Sequence, residues 1–133
     1  LLCMNPETQN WLASADYDLK TARSMFRAKR YLYTVYMAHL AVEKTLKALV
    51  AEITGTAPPK THNLIRLVDL ARIEVPEDLK IFIGELNAAA GTVRYPENLN
   101  NLVAAYPGPV AGQYLKRAEK VIKWLKENEP LKR

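Results

Sequence analysis

Residues 30–50 read RYLYTVYMAHLAVEKTLKALV, and the fold turns on this stretch. Leu32, Val35, Tyr36, Leu40, Val42, Leu46, Leu49, Val50 and, just beyond, Ile53 recur at helical spacing and cover more than one face. A helix that is apolar on most sides sits at the centre of a domain. This one is predicted over about residues 31–53, yet it carries His39, Glu43, Lys44 and Lys47 in its middle. Charge in a segment that reads as buried has to be paired, because an unpaired interior charge is costly.

The joints on either side are marked by Gly and Pro. Thr54-Gly55 is a C-terminal stop, and Pro58-Pro59 prevent the helix from resuming. Upstream, Asn5-Pro6-Glu7 combines a good N-cap, a proline suited to the first turn and an acid at the positive end of the dipole. Leu12, Ala15, Leu19, Ala22 and Phe26 then form one stripe. A short third helix is expected from Thr61, with Leu64, Leu67, Val68 and Ala71 inward. Pro76-Glu77-Asp78 opens a fourth, lined by Leu79, Phe82, Ile83, Leu86, Ala90 and Val93, and Tyr95-Pro96 ends it. Residues 97–109 read as a polar loop. A last helix is expected over about residues 109–128, with Val110, Tyr114, Ala118, Val121, Ile122 and Leu125 inward. The expectation is an all-α fold: an antiparallel up-and-down bundle of four long helices and one short one. Residues 5–128 form its single domain, and residues 1–4 and 129–133 are expected to be loose. Helix two has apolar surface to spare, so a homodimer is expected.

Composition fits that picture. The 133 residues suit one domain, which at this size buries about two thirds of its unfolded surface. Hydrophobic residues make up 49% and charged residues 25%. The single cysteine, Cys3, excludes an internal disulfide and points to a reducing cytoplasm. No apolar run has the length of a membrane span, and residues 1–4 lack the features of a signal peptide. Met4 is the expected start. A net charge of +5 suits an acidic partner such as RNA, a nucleotide or an acidic protein, although nineteen scattered Lys and Arg also make an ordinary basic surface.

Several chemistries are excluded by what is missing. Two His and one Cys, in no metal-ligand spacing, argue against a metal site. Gly55, Gly84, Gly91, Gly108 and Gly112 form no phosphate-cradling loop, and no cofactor is called for. Ser14 and Ser24, both on helix one, leave no nucleophile elbow. What is left is a row on helix two and a corner at the end of helix four. His39, Glu43 and Lys47 stand four apart on one line. They read either as a site or as a helix-stabilising Glu43–Lys47 pair worth a few tenths of a kcal/mol. Arg94-Tyr95 reads either as a cation at the negative end of a helix dipole or as a phosphate donor beside a ring that can stack a base.

Four pieces, in order, resemble the HEPN family (higher eukaryote and prokaryote nucleotide-binding domain). They are Trp11 with Ala15-Asp16-Tyr17-Asp18-Leu19 and Ala22; Ala38-His39-Leu40-Ala41-Val42-Glu43-Lys44-Thr45-Leu46-Lys47-Ala48-Leu49; Lys60-Thr61-His62-Asn63-Leu64 with Leu67; and Arg94-Tyr95-Pro96. The resemblance spans about residues 10–125. It implies an antiparallel helical bundle, usually dimeric. Two functions come with it: metal-independent RNA cleavage, as in toxins, or non-catalytic binding of nucleotides and of a small nucleotidyltransferase. The nuclease branch has Arg, then four to six intervening residues, then His. After Arg94 those positions hold Leu99, Asn100 and Asn101, and Asn does not shuttle a proton at neutral pH.

The leading expectation is therefore a non-catalytic nucleotide- or partner-binding protein in a toxin–antitoxin-like module. A ribonuclease with a degenerate site and a plain interaction bundle are the alternatives. Tyr36, His39, Glu43, Lys47, Arg94 and Tyr95 are expected around one polar groove, with no catalytic residue assigned.

Overall fold

The computed structural model describes residues 4–128 and 130–132, which contain six helices and no strand. The helices are α1 (Pro6–Arg27), α2 (Tyr31–Thr54), α3 (Leu64–Ala71), α4 (Glu77–Arg94), α5 (Leu99–Ala105) and α6 (Gly108–Lys126). Local causes set their boundaries. Asn5 caps α1 by accepting from the Glu7 amide at 2.8 Å. Gly55 closes α2 in the left-handed region at φ 68°, its amide bonded to the Ala51 carbonyl. Pro76 and the acids Glu77 and Asp78 start α4. The N-terminus of α2 has no side-chain cap, so this helix is held by burial of its sides rather than by its end.

Polar contacts fix the directions. Thr8 Oγ1 donates to Glu52 Oε1 at 2.9 Å, and Lys44 Nζ meets Asp18 Oδ2 at 2.7 Å. The start of α1 thus lies beside the end of α2, and the two run antiparallel. On the far side, Asp78 faces Lys120 and Glu85 faces Arg117, which sets α4 antiparallel to α6. Arg23 binds Glu119 and ties α1 to α6. These surface pairs fix geometry more than stability, since exposed ion pairs contribute at most about 1 kcal/mol. The core does the holding: Leu46, Leu49, Leu64, Leu67, Phe82, Ile83, Leu86 and Leu125 are fully buried around α2, each worth about 1.5–3 kcal/mol on transfer from water.

Three expectations change. The loop read over residues 97–109 contains α5, capped by Asn98, whose side chain accepts from the Asn101 amide at 3.0 Å. The third helix begins at Leu64 rather than at Thr61, because Asn63 takes the cap and accepts from the Ile65 and Arg66 amides. Thr61 instead accepts from the Asn63 amide, ahead of the helix. In the tail read as loose, Leu131 is buried and joins the core. Residues 1–3, 129 and 133 lie outside the described residues, and so does that part of the reading of the termini. Among the described residues no helix is long and apolar enough to cross a membrane.

Candidate functional site

The row on α2 is deeply buried. His39 is 0% exposed, Glu43 2% and Lys47 7%. Both oxygens of Glu43 are used. Oε2 accepts from Lys47 Nζ at 3.0 Å, one turn along the helix. Oε1 accepts from His62 Nδ1 at 2.9 Å, across the proline turn that joins α2 to α3. Lys47 also lies 5.2 Å from the centre of the Trp11 ring, so α1 supplies an aromatic face to the same ammonium. A carboxylate, an ammonium and an imidazole are thus brought together as a set, which is how a buried charge is tolerated.

His39 is held differently. Its Nε2–H donates to the His62 carbonyl at 3.2 Å, which fixes the tautomer and leaves Nδ1 as a lone pair. Nδ1 stands 3.9 Å from Glu43 Oε1, too far for a hydrogen bond, and has no hydrogen-bond partner among the described residues. Burial pushes the His39 pKa down to about 4, and the positive charge of Arg94 adds to that, while Glu43 opposes it. His39 is therefore neutral at pH 7.

Arg94, in the last turn of α4, comes close enough to the His39 ring for its charge to be felt there. Its Nη1 is buried and has no hydrogen-bond partner among the described residues. The cluster thus holds a free donor on Arg94 and a free acceptor on His39. Lys47 and Arg94 against Glu43 leave it one positive charge in excess when both imidazoles are neutral. Such a site favours an anion.

Of the six residues expected around one groove, His39, Glu43 and Lys47 come together, and Arg94 lies within electrostatic reach of His39. The two tyrosines do not join them by any hydrogen bond or ring contact among the described residues. Tyr36 is half-buried on α2. Tyr95 is 80% exposed and lines a separate open groove of about 660 Å³ between the end of α4 and α5, with Thr92, Asn98 and Asn101. His62 is the member of the cluster that reasoning from helix two alone misses. The signal for it is the Thr61-His62-Asn63-Leu64 motif, together with the demand of a buried Glu43 for a second donor. No group of three His, Cys, Asp or Glu among the described residues is placed to hold a metal ion.

The fold and the buried row define a class: a small all-α domain built round a central helix with a saturated glutamate at its core. The HEPN domain model matches residues 8–128, and the chain belongs to the HEPN domain family. Two solved structures share the fold. TT1696 from Thermus thermophilus is 24% identical with a TM-score of 0.78, over 92% of this chain and 98% of that one. ST0689, an archaeal HEPN homologue, is 20% identical with a TM-score of 0.73, over 90% and 94%. At these identities the likeness establishes the fold alone. No curated protein matches the sequence.

Proposed function

We propose that this protein is a non-catalytic HEPN binding protein that takes a phosphate-bearing ligand, a nucleotide or an RNA end, at the Arg94–His39 cluster. The observation that carries the reading is the buried Nη1 of Arg94, unpartnered among the described residues and within electrostatic reach of a neutral His39 whose Nδ1 is also without a partner among them. A phosphate oxygen accepts from the guanidinium, and a ligand hydroxyl donates to the imidazole. Glu43 and Lys47 hold the α2 side of the cluster rigid. The finer reading is a homodimer that works beside a small nucleotidyltransferase in a toxin–antitoxin-like module. Family membership supports it by analogy.

The test is calorimetric titration of the purified chain with ATP, GTP and a short RNA oligonucleotide, in EDTA. Binding of at least one, weakened about tenfold or more by Arg94→Ala with helicity unchanged, is expected. Equal binding by the variant, or no binding of any of the three, overturns the reading.

One observation favours a second reading. Glu43 holds His62 by Nδ1 while the His62 side chain is 55% exposed. A carboxylate-oriented imidazole on a half-exposed side chain is the arrangement of a general base. Metal-independent RNA cleavage would then use His62 where the family's nucleases use a His after the arginine. Loss of RNA cleavage in EDTA on both His62→Ala and Arg94→Ala would support it, and an uncleaved substrate with wild-type protein would end it.

A further inference from the structure

Helix α5 has no buried residue. Leu99 and Val103, four apart and hence on one face, are 54% and 50% exposed. That face is part of a groove of about 260 Å³, whose other wall is the start of α2, with Tyr31, Leu32 and Tyr33. The rim carries Lys29 and Arg30, and no carboxylate lines it. Neither cation has an ion-pair partner among the described residues, and α5 itself bears no charge. The Lys29 backbone sits in the left-handed region at φ 60°, held by amide bonds from Lys29 and Arg30 back to the end of α1, so the two cations are presented from a fixed turn.

We propose that this groove receives an acidic, amphipathic helical segment of a partner protein. The volume falls below the roughly 300–1,000 Å³ of small-molecule pockets, so side-chain anchors suit it better than a whole ligand. An apolar trough walled by two helices is the receiving half of helix-in-groove recognition, where anchors repeat every three to four residues. The charge of the rim selects the partner. Two unpaired cations beside an apolar strip favour apolar anchors flanked by Asp or Glu. A second copy of this chain would bring the same two cations to the same face and meet like charge. A nucleic acid would find only two phosphate-binding cations there, and although Tyr31 and Tyr33 could stack a base, Leu32, Leu99 and Val103 offer it no polar contact. The proposal does not rest on the Arg94 cluster, which no variant below touches.

The experiment selects phage-displayed random peptides of about 20 residues, long enough for five helical turns, on the purified full chain. Enriched peptides are expected to be acid-rich, with apolar residues at three- and four-residue spacing. A synthetic copy of the strongest is then titrated by fluorescence anisotropy. Val103→Asp is expected to weaken it about tenfold or more, and the Lys29→Glu/Arg30→Glu double variant to do so at low salt and less at high salt. Circular dichroism of each variant, with helicity unchanged, ties the losses to the groove. Four results overturn the proposal: enrichment without acidic bias, no enrichment, equal binding by wild type and Val103→Asp, or displacement of the peptide by an RNA oligonucleotide whose own binding survives Val103→Asp. A dimer in sedimentation that dissociates on Val103→Asp overturns it too, because a second copy then covers the groove.

Discussion

The middle of α2 and the whole of α5 break the same rule in opposite directions. On α2, His39, Glu43 and Lys47 are charged or polar and buried. On α5, Leu99 and Val103 are apolar and exposed. Polar groups inside and contiguous apolar groups outside are the two departures from ordinary burial that carry information. They differ in how they are compensated. The α2 departure is closed within the chain, by His62, Lys47 and the Trp11 ring, and among the described residues it leaves only Arg94 Nη1 and His39 Nδ1 open. The α5 departure is not closed by any described residue. The first is therefore an internally paired polar cluster with two open valences among the described residues, and the second a surface whose cost falls only when something covers it.

The largest effect expected from this contrast is at Glu43. Glu43→Ala removes the shared partner of Lys47 and His62 and leaves an ammonium buried alone, at a cost of about 3–5 kcal/mol. Urea unfolding measures it. Replacing both members, Glu43→Met with Lys47→Met, is expected to recover most of the loss, since a buried pair is often matched by apolar groups of similar volume. A double variant as unstable as the single one would mean that His62, rather than Lys47, is what Glu43 supports.

His39 gives the next effect, through pH. Its folded pKa of about 4 lies below the unfolded value of 6.5. Between those values the unfolded chain binds more protons, so stability rises with pH. The stabilisation is complete above about pH 6.5 and is lost as pH falls towards 4, amounting to about 3 kcal/mol if the whole shift is expressed. His39→Gln is expected to flatten that part of the profile. The charges that face the ring are those of Glu43, Arg94 and His62, so the Arg94→Ala background should move the lower limb upward in pH. A profile with the same slope in His39→Gln would place the titration elsewhere.

How far these two regions can be read from sequence follows from the range of their interactions. Helix α2 is legible because its apolar residues repeat along its whole length and Gly55 and the prolines bound it. The Glu43–Lys47 pair is legible because it is local, four residues apart. The His62 contact spans nineteen residues and crosses a turn whose direction no periodicity encodes, so only the motif around Thr61 points to it. Tyr36 and Tyr95 lie near His39 and Arg94 in sequence, but nearness along the chain does not fix direction. The backbone leaves the helical region at Tyr95, with φ −132° and ψ 70°, and its ring lies on a different groove. Helix α5 escapes detection because LNNLVAA has seven residues, a proline near each end and an apolar face too short to show a period.

The last two predictions fall on α5 and are small. Asn98→Ala removes the cap that the Asn101 amide uses and is expected to cost about 1 kcal/mol locally. Because α5 buries nothing, the loss should appear as faster amide exchange over residues 101–105 and not in the midpoint of global unfolding. Val103→Ser is the weakest perturbation. A half-exposed side chain has little transfer energy left to lose, so global stability in urea is expected to change by less than about 0.5 kcal/mol. Leu46→Ala, at the buried centre of α2, should cost about 2–5 kcal/mol under the same conditions. If Val103→Ser instead costs more than about 1 kcal/mol, the α5 face is already covered in solution, and the contrast with α2 narrows to one between two buried surfaces. If the loss appears only at high protein concentration, the cover is another copy of the chain.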